Sequence, residues 1–428
     1  MQSLQKRTAG FALLLAIVGL PNNARAQDAE VVIEWNRIWQ AAQATPGAQS
    51  PTIFFTRPFA IVHIAMFDAL NSIDFIYTPY SIKVHAEPNA SREAAAARAA
   101  HDVLVAMYPS QRAVFDAALN TTLARVDGDA ARDGSRVGTA AAQAILELRS
   151  ADGWNRVPPS YILPNLPGYW QPTPPQNVPA TLTHYQDVQS FVIGNARQFL
   201  VEPPPGLTSA RYAADFNEAK SLGAVNSTTR TEDQTAVARL WAMVGTRTGP
   251  SGVYSNLVRD LARARRLSGL ETARLYALVA IAVHDSLLVS FTGKYLYGLW
   301  RPIAAIRQAD RDGNPATEPD PAWTSLIANP PYPTYPGNMA CIGASATRVL
   351  ERFFGRDDIG FSVTWVATEG PNITRQYNGF RQLADEEANS RVYGGIHFTF
   401  DTTASFGVCV PLADYAFVNY LRPRVPSQ

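Results

Sequence analysis

The dodecapeptide SRVYGGIHFTFD, residues 390–401, brings together four residues of types used in catalysis or anion binding: Ser390, Arg391, His397 and Asp401. A helix that begins just after Gly395 would place His397 and Asp401 one turn apart on the same face. The carboxylate would then hold one imidazole nitrogen and leave the other free as a nucleophile or ligand. Arg391 would supply a fixed fork of donors for an oxyanion. The alternative is a buried histidine beside a surface arginine, and partners elsewhere in the chain decide between the two.

Length and composition are those of a globular protein with a large core. The chain has 428 residues, of which 46% are hydrophobic and 17% are charged. These values favour a folded protein of one large or two medium domains over a disordered chain. The formal net charge of +1 gives no reason to expect a nucleic-acid partner.

The N-terminus has the pattern of a secretory signal peptide over residues 1–26. Lys6 and Arg7 precede an apolar run from Phe11 to Leu20, and a small-x-small triplet ends at Ala26. Cleavage there would leave 34 basic and 36 acidic residues, a formal charge of −2. We therefore expect a periplasmic or secreted protein, with an uncleaved membrane anchor as the alternative.

Apolar residues recur at helical spacing through most of the chain, whereas the period-2 alternation of strands is scarce. The spacing predicts helices at Glu30–Ala44, Pro58–Phe75, Ser91–Tyr108, Ser110–Leu123, Ala130–Ser150, Ser209–Ser221, Thr231–Met243, Ser251–Leu267 and Glu271–Phe291. The apolar segment Ala273–Phe291 approaches the length of a membrane span, but Arg274, His284 and Asp285 interrupt it. A mainly α protein with a core helix at this position, and with no membrane span after signal cleavage, is expected.

A proline-rich segment, residues 152–206, divides the helical pattern. Its prolines exclude regular helix or central strand, and the aromatic residues among them, such as Trp154 and Tyr161, argue against a loose linker. The segment is therefore expected to be an ordered connection. It would join an N-terminal helical bundle, residues 27–151, to a C-terminal helical domain, residues 207–428.

Two cationic residues precede a second proline-rich stretch. Lys294 and Arg301 are seven residues apart, so on a continuous helix their charged groups would point the same way. Side-by-side cations repel each other unless an anion lies between them. The apolar residues around them argue against a solvated surface face, although that reading stays open at this point.

A third candidate element is the turn Pro336-Gly337-Asn338-Met339-Ala340, which follows a proline-broken loop, residues 310–335. The small residues after it predict a closely packed helix. Such a turn into a helix N-terminus presents free backbone N–H groups to an anion. An ordinary capped Pro-Gly turn is the alternative.

Together the three elements resemble the signature of the type 2 phosphatidic-acid phosphatase and vanadium haloperoxidase superfamily. The signature reads Lys-x6-Arg-Pro, then Pro-Ser-Gly-His, then Ser-Arg-x5-His-x3-Asp. Its first part matches Lys294, Arg301 and Pro302, and its third part matches the four residues of the dodecapeptide. Three further segments, Arg57–Ser72, Leu222–Thr235 and Gly293–Asp312, look like those of soluble bacterial vanadium haloperoxidase-like proteins. The resemblance thus covers nearly the whole mature chain.

This resemblance implies an all-α fold of two four-helix bundles, with the active site in the core of the second bundle. It implies that His397 bonds to vanadium or phosphorus and that Asp401 orients His397. The cofactor would be vanadate, for which phosphate could substitute at the same site. The residues that it implies for holding the oxyanion are Lys294, Arg301, Gly337, Asn338, Ser390 and Arg391.

The middle element departs from the signature. Gly337 replaces the serine, Asn338 the glycine, and Met339 the histidine that serves as the acid-base group or hydrogen-bonds the cofactor in the family. A thioether has no proton to give and is only a weak acceptor. Loss of one acid-base group removes a factor of about 10²–10⁴ in rate without destroying an anion site.

Three functions fit this pattern. The first is a vanadium-dependent peroxidase or haloperoxidase that oxidises a halide or a small organic substrate with hydrogen peroxide. The second is a soluble acid phosphatase acting through a phosphohistidine at His397. The third is a non-catalytic oxyanion-binding relative, which the change at Met339 favours.

The two cysteines are expected to form a disulfide. Cys341 lies two residues beyond Met339 and Cys409 eight beyond Asp401, so two segments that should converge on the anion each carry one cysteine. Export would supply the oxidising conditions. A pair of buried free thiols is the alternative.

Overall fold

The computed structural model describes residues 22–48, 55–244 and 248–424. The predicted signal peptide, residues 1–26, lies mostly outside the described residues, and the proposed cleavage point after Ala26 falls within the first helix. The helices and strands of the described ranges are α1 (Asn22–Ala44), α2 (Thr56–Asp74), α3 (Arg92–Met107), α4 (Arg112–Leu123), α5 (Gly128–Leu148), α6 (Ala210–Gly223), α7 (Glu232–Trp241), α8 (Pro250–Ala264), α9 (Gly269–Tyr297), α10 (Pro302–Arg307), α11 (Asn338–Phe354), β1 (Phe361–Trp365), β2 (Ile373–Tyr377), α12 (Phe380–Tyr393) and α13 (Thr399–Asn419).

The long helix α9 runs through the centre of the fold. Its N-terminus is closed by a capping box in which Ser268 and Glu271 exchange hydrogen bonds, and it stops where Gly298 adopts a left-handed conformation. It packs against α1 and α2 on the N-terminal side of the chain and against α11 and α13 on the C-terminal side. The helix is long and apolar enough to cross a membrane, but its most apolar window is entirely buried within the protein. The prediction of a core helix is confirmed.

The mainly α fold is also confirmed. Each of the nine predicted helices corresponds to one of α1–α9, with ends displaced by a few residues in most cases. Sequence periodicity gave no forecast of α10, α12 or the antiparallel hairpin β1–β2, in which Val363 pairs with Arg375. The division at residues 27–151, 152–206 and 207–428 and the count of two four-helix bundles stay predictions.

The proline-rich connection is an ordered layer on α9. The carboxylate of Asp285, buried in α9, accepts hydrogen bonds from the backbone N–H groups of Phe191, Val192 and Ile193 at 2.7, 2.7 and 3.1 Å. Tyr161 reaches the same helix, where its hydroxyl donates to the carbonyl of Tyr295 at 3.2 Å. The three N–H groups lie in a proline-rich segment without regular secondary structure, and the buried carboxylate of α9 supplies the acceptors that they need.

Candidate active site

His397 lies in the turn between α12 and α13, two residues before α13 begins. The expectation that it would stand inside a helix is wrong, because α13 starts only at Thr399. The pairing with Asp401 nevertheless forms, since Asp401 lies in the first turn of α13. Its Oδ2 accepts from His397 Nδ1 at 2.7 Å and from the Phe398 backbone N–H at 3.1 Å. The carboxylate therefore caps the helix and orients the imidazole at once.

Thr334 completes this arrangement from the loop before α11. Its hydroxyl donates to Asp401 Oδ2 at 2.5 Å and lies 3.1 Å from His397 Nδ1. With its own hydrogen on Asp401, the hydroxyl oxygen can accept from Nδ1–H. Both contacts fix the proton on Nδ1 and leave the Nε2 lone pair as the reactive position of His397.

The electrostatic environment keeps His397 neutral. Burial lowers its pKa well below the usual value, and the positive charges of Arg301, Lys294 and Arg391 lower it further. Burial raises the pKa of Asp401 to about 6, against the opposing effects of the Thr334 hydrogen bond and the Lys294 charge. A neutral imidazole is the form that can act as nucleophile or ligand.

Arg301 contacts His397 directly. Its Nη1 lies 3.2 Å from His397 Nε2 and donates to the Ile396 carbonyl at 2.8 Å, while its Nε donates to the Tyr332 carbonyl at 2.9 Å. Its remaining nitrogen, Nη2, is buried with no partner among the described residues. Burial lowers its pKa to about 10, so the guanidinium stays charged at neutral pH.

Lys294 and Arg301 converge by a route different from the predicted one. They do not share a helix, because α9 ends at Tyr297 and Arg301 is the residue that precedes α10. The chain turns at Gly298, where φ is +59° and an added Cβ would lie 2.5 Å from Leu163 Cδ1. This turn, rather than helical periodicity, brings Arg301 near Lys294.

Within the described residues, all hydrogen bonds of the Lys294 ammonium group go to backbone carbonyls. It donates to the carbonyls of Pro333, Thr334 and Pro336 at 3.0, 2.7 and 2.5 Å, and Nζ lies 5.3 Å from the Tyr332 ring centroid. Burial and the charge of Arg301 lower its pKa well below the usual value. The three donations need all three N–H groups of the protonated ammonium. Lys294 therefore holds the loop that carries Thr334 and adds positive charge from behind that loop.

Arg391 is the third cation. Its Nη1 donates to the Trp241 carbonyl at 2.9 Å, and its Nε is a buried donor with no partner in the described ranges. Burial lowers its pKa to about 10, while Glu387, one turn earlier in α12, acts in the opposite direction. Arg391 thus keeps its charge and holds a free donor for a ligand.

A cavity of about 550 Å³ opens over His397 and Arg391. Arg301 and Lys294 are fully buried and are not among its lining residues, so they lie behind its wall. Its charged and polar lining includes His397, Arg391, Asn338, Tyr332 and, near the exposed rim, Arg239, whereas most of its other lining residues are apolar. The described lining residues include no carboxylate. Cationic groups beside an uncharged imidazole, in a cavity lined in this way, form a site for an anion.

Only some residues of the signature's middle element line the cavity. Asn338 and Met339, the first residues of α11, line it. Gly337 does not, and its N–H is already donated to the Asp401 carbonyl at 3.2 Å. Ser390 is also removed from the lining, since its hydroxyl donates to the Glu387 carbonyl within α12 at 2.5 Å. Neither Gly337 nor Ser390 has the placement expected of an oxyanion-binding residue.

Three residues of the site had no signal in the sequence: Thr334, Tyr332 and Glu387. Tyr332 lies in the same irregular loop as Thr334, and its ring centroid is 5.2 Å from Arg301 Cζ. Glu387 is fully buried behind Arg391 and accepts a hydrogen bond from Tyr254. Their roles depend on contacts between distant segments, which spacing along the chain does not reveal.

The two cysteines form a disulfide next to the site. Cys341 in α11 and Cys409 in α13 are bonded, with 5.4 Å between their Cα atoms, which is within the usual range. The bridge ties the helix that carries Asn338 and Met339 to the helix that carries Asp401. In the part of the chain that the structure describes, no group of three or more His, Cys, Asp or Glu side chains could hold a metal ion.

Comparison with known proteins agrees with this architecture. Residues 274–423 match the family model of the VCPO second helical-bundle domain. The vanadium chloroperoxidase of Curvularia inaequalis is 26% identical over an aligned length of 286 residues, and the match covers 50% of this chain. The match spans 45% of the length of that curated relative.

Solved structures extend the similarity in fold to most of the chain. A bacterial vanadium-dependent iodoperoxidase superposes with a TM-score of 0.79 at 21% identity, covering 95% of this chain and 100% of that one. A bacterial vanadium-dependent chloroperoxidase in its holo form gives a TM-score of 0.68 at 16% identity, covering 87% and 94%. The resemblance to vanadium haloperoxidases that the sequence motifs indicated is thus confirmed at the level of family model and fold.

Proposed function

For this vanadium haloperoxidase-like chain, we propose a peroxidase function: it binds vanadate at His397 and uses hydrogen peroxide to oxidise a halide or a small organic substrate. The observation that carries the proposal is the state of His397. Its Nε2 lone pair lies beside Arg301, in a site where Arg301 Nη2 and Arg391 Nε have no partner among the described residues.

The residues present fit an oxyanion. Each buried N–H group without a partner costs about 1–3 kcal/mol, and a tetrahedral or trigonal-bipyramidal oxyanion offers several acceptor oxygens at once. Neutral His397 can contribute the lone pair that a covalent bond to the central atom requires, once Arg301 Nη1, which donates to Nε2 at 3.2 Å, turns that hydrogen to the oxyanion. Phosphate has the same donor requirements and is proposed to compete for the same site.

Each residue of the site has a proposed role in vanadate binding. His397 Nε2 would hold the vanadate, while Asp401 and Thr334 keep the proton on Nδ1. Arg301 and Arg391 would donate to its oxygens, and Lys294 would add positive charge through the Thr334 loop. When bound, vanadate supplies the Lewis acidity that activates hydrogen peroxide toward two-electron oxidation.

A second candidate is a non-catalytic oxyanion-binding protein, and Met339 is the observation that favours it. Met339 lines the cavity at the position of the family's acid-base histidine. The described cavity lining offers no carboxylate and no second histidine in its place. Binding should therefore be less affected than turnover.

The deciding experiment uses the purified chain with orthovanadate and hydrogen peroxide. Bromination of a phenolic dye, hydrolysis of p-nitrophenyl phosphate and vanadate binding by equilibrium dialysis are measured in parallel. Vanadate-dependent bromination supports the peroxidase, hydrolysis without bromination supports a phosphatase acting through His397, and binding alone supports the second candidate. H397A should lose vanadate binding, whereas H85A, at a histidine whose side chain is 85% exposed, should retain it.

We also propose export to the periplasm or the medium. The signal-like N-terminal sequence and the Cys341–Cys409 bridge support this location, because disulfides persist in oxidising compartments. Expression of the full chain in a bacterial host followed by fractionation tests it. Protein that stays in the cytoplasm with residues 1–26 attached would contradict the proposal.

A further inference from the structure

Met339 stands where the haloperoxidase signature has a histidine, and its thioether belongs to the wall of the cavity. It is partly exposed, whereas its neighbours Asn338 and Ala340 are buried. His397 and Arg391 line the same cavity. Met339 therefore lines the space in which the proposed function would activate peroxide.

A thioether in this position has its own chemistry. It cannot hold a proton and accepts hydrogen bonds only weakly, but its sulfur lone pair is readily oxidised. Building on the proposed peroxidase function, we propose that Met339 is converted to methionine sulfoxide in the vanadate-loaded protein, and that the sulfoxide weakens oxyanion binding.

The step balances with hydrogen peroxide as the only oxidant. The sulfur lone pair forms a bond to one peroxide oxygen while the O–O bond breaks. The other oxygen leaves as water with both hydrogens. Sulfur is oxidised by two electrons and the peroxide is reduced by two.

The product changes what the cavity offers to an anion. A sulfoxide oxygen is a strong acceptor with partial negative charge, whereas the thioether is nearly apolar. In a cavity that Arg391 and Asn338 also line, the sulfoxide would compete with the oxyanion for donors and repel the oxyanion's charge. Oxidation of Met339 would thus lower the affinity of the site for vanadate when peroxide is in excess.

Other methionines of the chain serve as internal references. Met107 in α3 is partly buried like Met339 but is not part of the cavity, and Met66 in α2 is fully buried. Met243, like Met339, lines the cavity. Free peroxide should oxidise Met107 and Met339 to similar extents, whereas oxidation directed by the bound oxyanion should select Met339.

The experiment incubates the full chain with hydrogen peroxide, with and without orthovanadate, and measures sulfoxide at each methionine by peptide mass spectrometry. Met339 should be oxidised several-fold faster with vanadate, and Met107 should be unaffected by it. Equilibrium dialysis after peroxide removal should then show vanadate affinity about tenfold weaker. M339L treated in the same way should keep its affinity, and a methionine sulfoxide reductase should restore the wild-type value.

Several results would overturn the inference. Equal oxidation of Met339 and Met107, no dependence on vanadate, or faster oxidation of Met243 than of Met339 would each do so. Bromination by the wild type without vanadate-dependent sulfoxide at Met339 would reject this inference and leave the peroxidase function standing. Absence of both vanadate binding and bromination in wild type and M339L would reject the peroxidase function itself.

Discussion

At the scale of single residues, Thr334 controls the proton on His397. Its hydroxyl donates to Asp401 Oδ2 at 2.5 Å and lies 3.1 Å from His397 Nδ1. T334V removes this hydroxyl at nearly constant shape and leaves Asp401 with one donor fewer. Vanadate affinity should fall about tenfold, as expected for a hydrogen bond to a charged group.

T334S is the matched control for this prediction, because it keeps the hydroxyl and loses only a methyl group. Equilibrium dialysis with both variants measures the effect. Equal affinities for T334V and T334S would mean that the Thr334 hydroxyl does not support His397.

The change at Met339 leads to a second residue-scale prediction. M339H restores a group in the cavity lining that can donate a proton near neutral pH. Whichever activity the wild type shows, bromination or phosphate hydrolysis, should rise by about tenfold or more. M339Q is the control, because its side chain is polar but cannot donate or accept a proton at this pH. Comparing the steady-state rates of M339H and M339Q shows whether a gain comes from proton donation or from polarity alone. A folded M339H with no gain over M339Q would show that another group serves as the acid or that the site is not catalytic.

Sequence spacing predicted part of this site correctly. The four-residue interval between His397 and Asp401 is compatible with their pairing even though His397 lies outside the helix, because Asp401 reaches back from the first turn of α13. The interval between Lys294 and Arg301 suggested proximity for an incorrect reason, since the chain turns at Gly298. Thr334 could not be found, because a threonine in an irregular loop has no periodicity that marks its partner.

At the scale of elements, the turn that carries His397 is held by a close approach of two glycines. Gly395 has a φ of +75°, and an added Cβ would lie 2.4 Å from the Gly223 carbonyl oxygen at the end of α6. G395A should therefore lose about 3 kcal/mol or more, from left-handed strain plus a backbone clash. It should also weaken vanadate binding because the turn before His397 must move.

G355A separates the two contributions. Gly355 has the same φ of +75°, but nothing lies within 4 Å of its added Cβ, so only the conformational cost of about 1–2 kcal/mol applies. Denaturant unfolding of both variants gives the comparison. Equal losses of stability would argue against a tight contact between α6 and the turn at Gly395.

Glu387 lies at the junction of α8, α11 and α12. Its carboxyl group accepts from Tyr254, and an added Cβ on Gly343 would lie 2.5 Å from Glu387 Oε2. Burial raises its pKa from 4.5 to about 8. Between these values the unfolded chain releases the proton that the folded protein keeps, so stability is lost as pH rises through this range.

E387Q removes this ionisation while keeping a hydrogen-bond acceptor for Tyr254. The free energy of unfolding of wild type relative to E387Q should fall by a few kcal/mol, to order of magnitude, between about pH 5 and pH 8. Denaturant titrations at three pH values measure it, with E318Q as a control at an exposed glutamate. A difference that is independent of pH would contradict the raised pKa.

Elements with a strong apolar face were predictable, and short or polar ones were not. The central helix α9 is apolar on nearly all sides, so its run of apolar residues predicted both its type and its burial. By contrast, α12 has few apolar residues, and its buried residues include the polar Glu387, Ser390 and Arg391. The hairpin was missed because β1 and β2 are only five residues each, and the residues of β2 are mostly exposed.

At the scale of the whole molecule, the site is assembled from segments far apart in sequence around α9. Its lysine comes from the end of α9, its histidine from the turn before α13, and its cavity wall from α7, α11 and α12. Signature motifs predicted most of the residues that converge, and the prolines and aromatic residues of 152–206 predicted an ordered connection. The hydrogen bonds between that connection and α9, and the loop at Thr334, came only from the structure. Ordered loops on a helical framework therefore fix the positions of Arg301, Thr334 and His397, whereas helices carry the other functional groups.

The Cys341–Cys409 disulfide fastens two of these segments, α11 and α13, and a final prediction concerns its contribution. The bridge spans a sequence separation of 68 residues, for which the chain-entropy model gives on the order of 4 kcal/mol as an upper figure. C341A/C409A should lose up to this amount in denaturant unfolding, and part of its vanadate affinity, because Met339 and Asp401 lie on the two helices that the bridge joins. Reduction of the wild type should reproduce both losses, which controls for the missing sulfur atoms. Thiol counting on the denatured, unreduced protein should find no free thiol, and two thiols per chain would rule the bridge out.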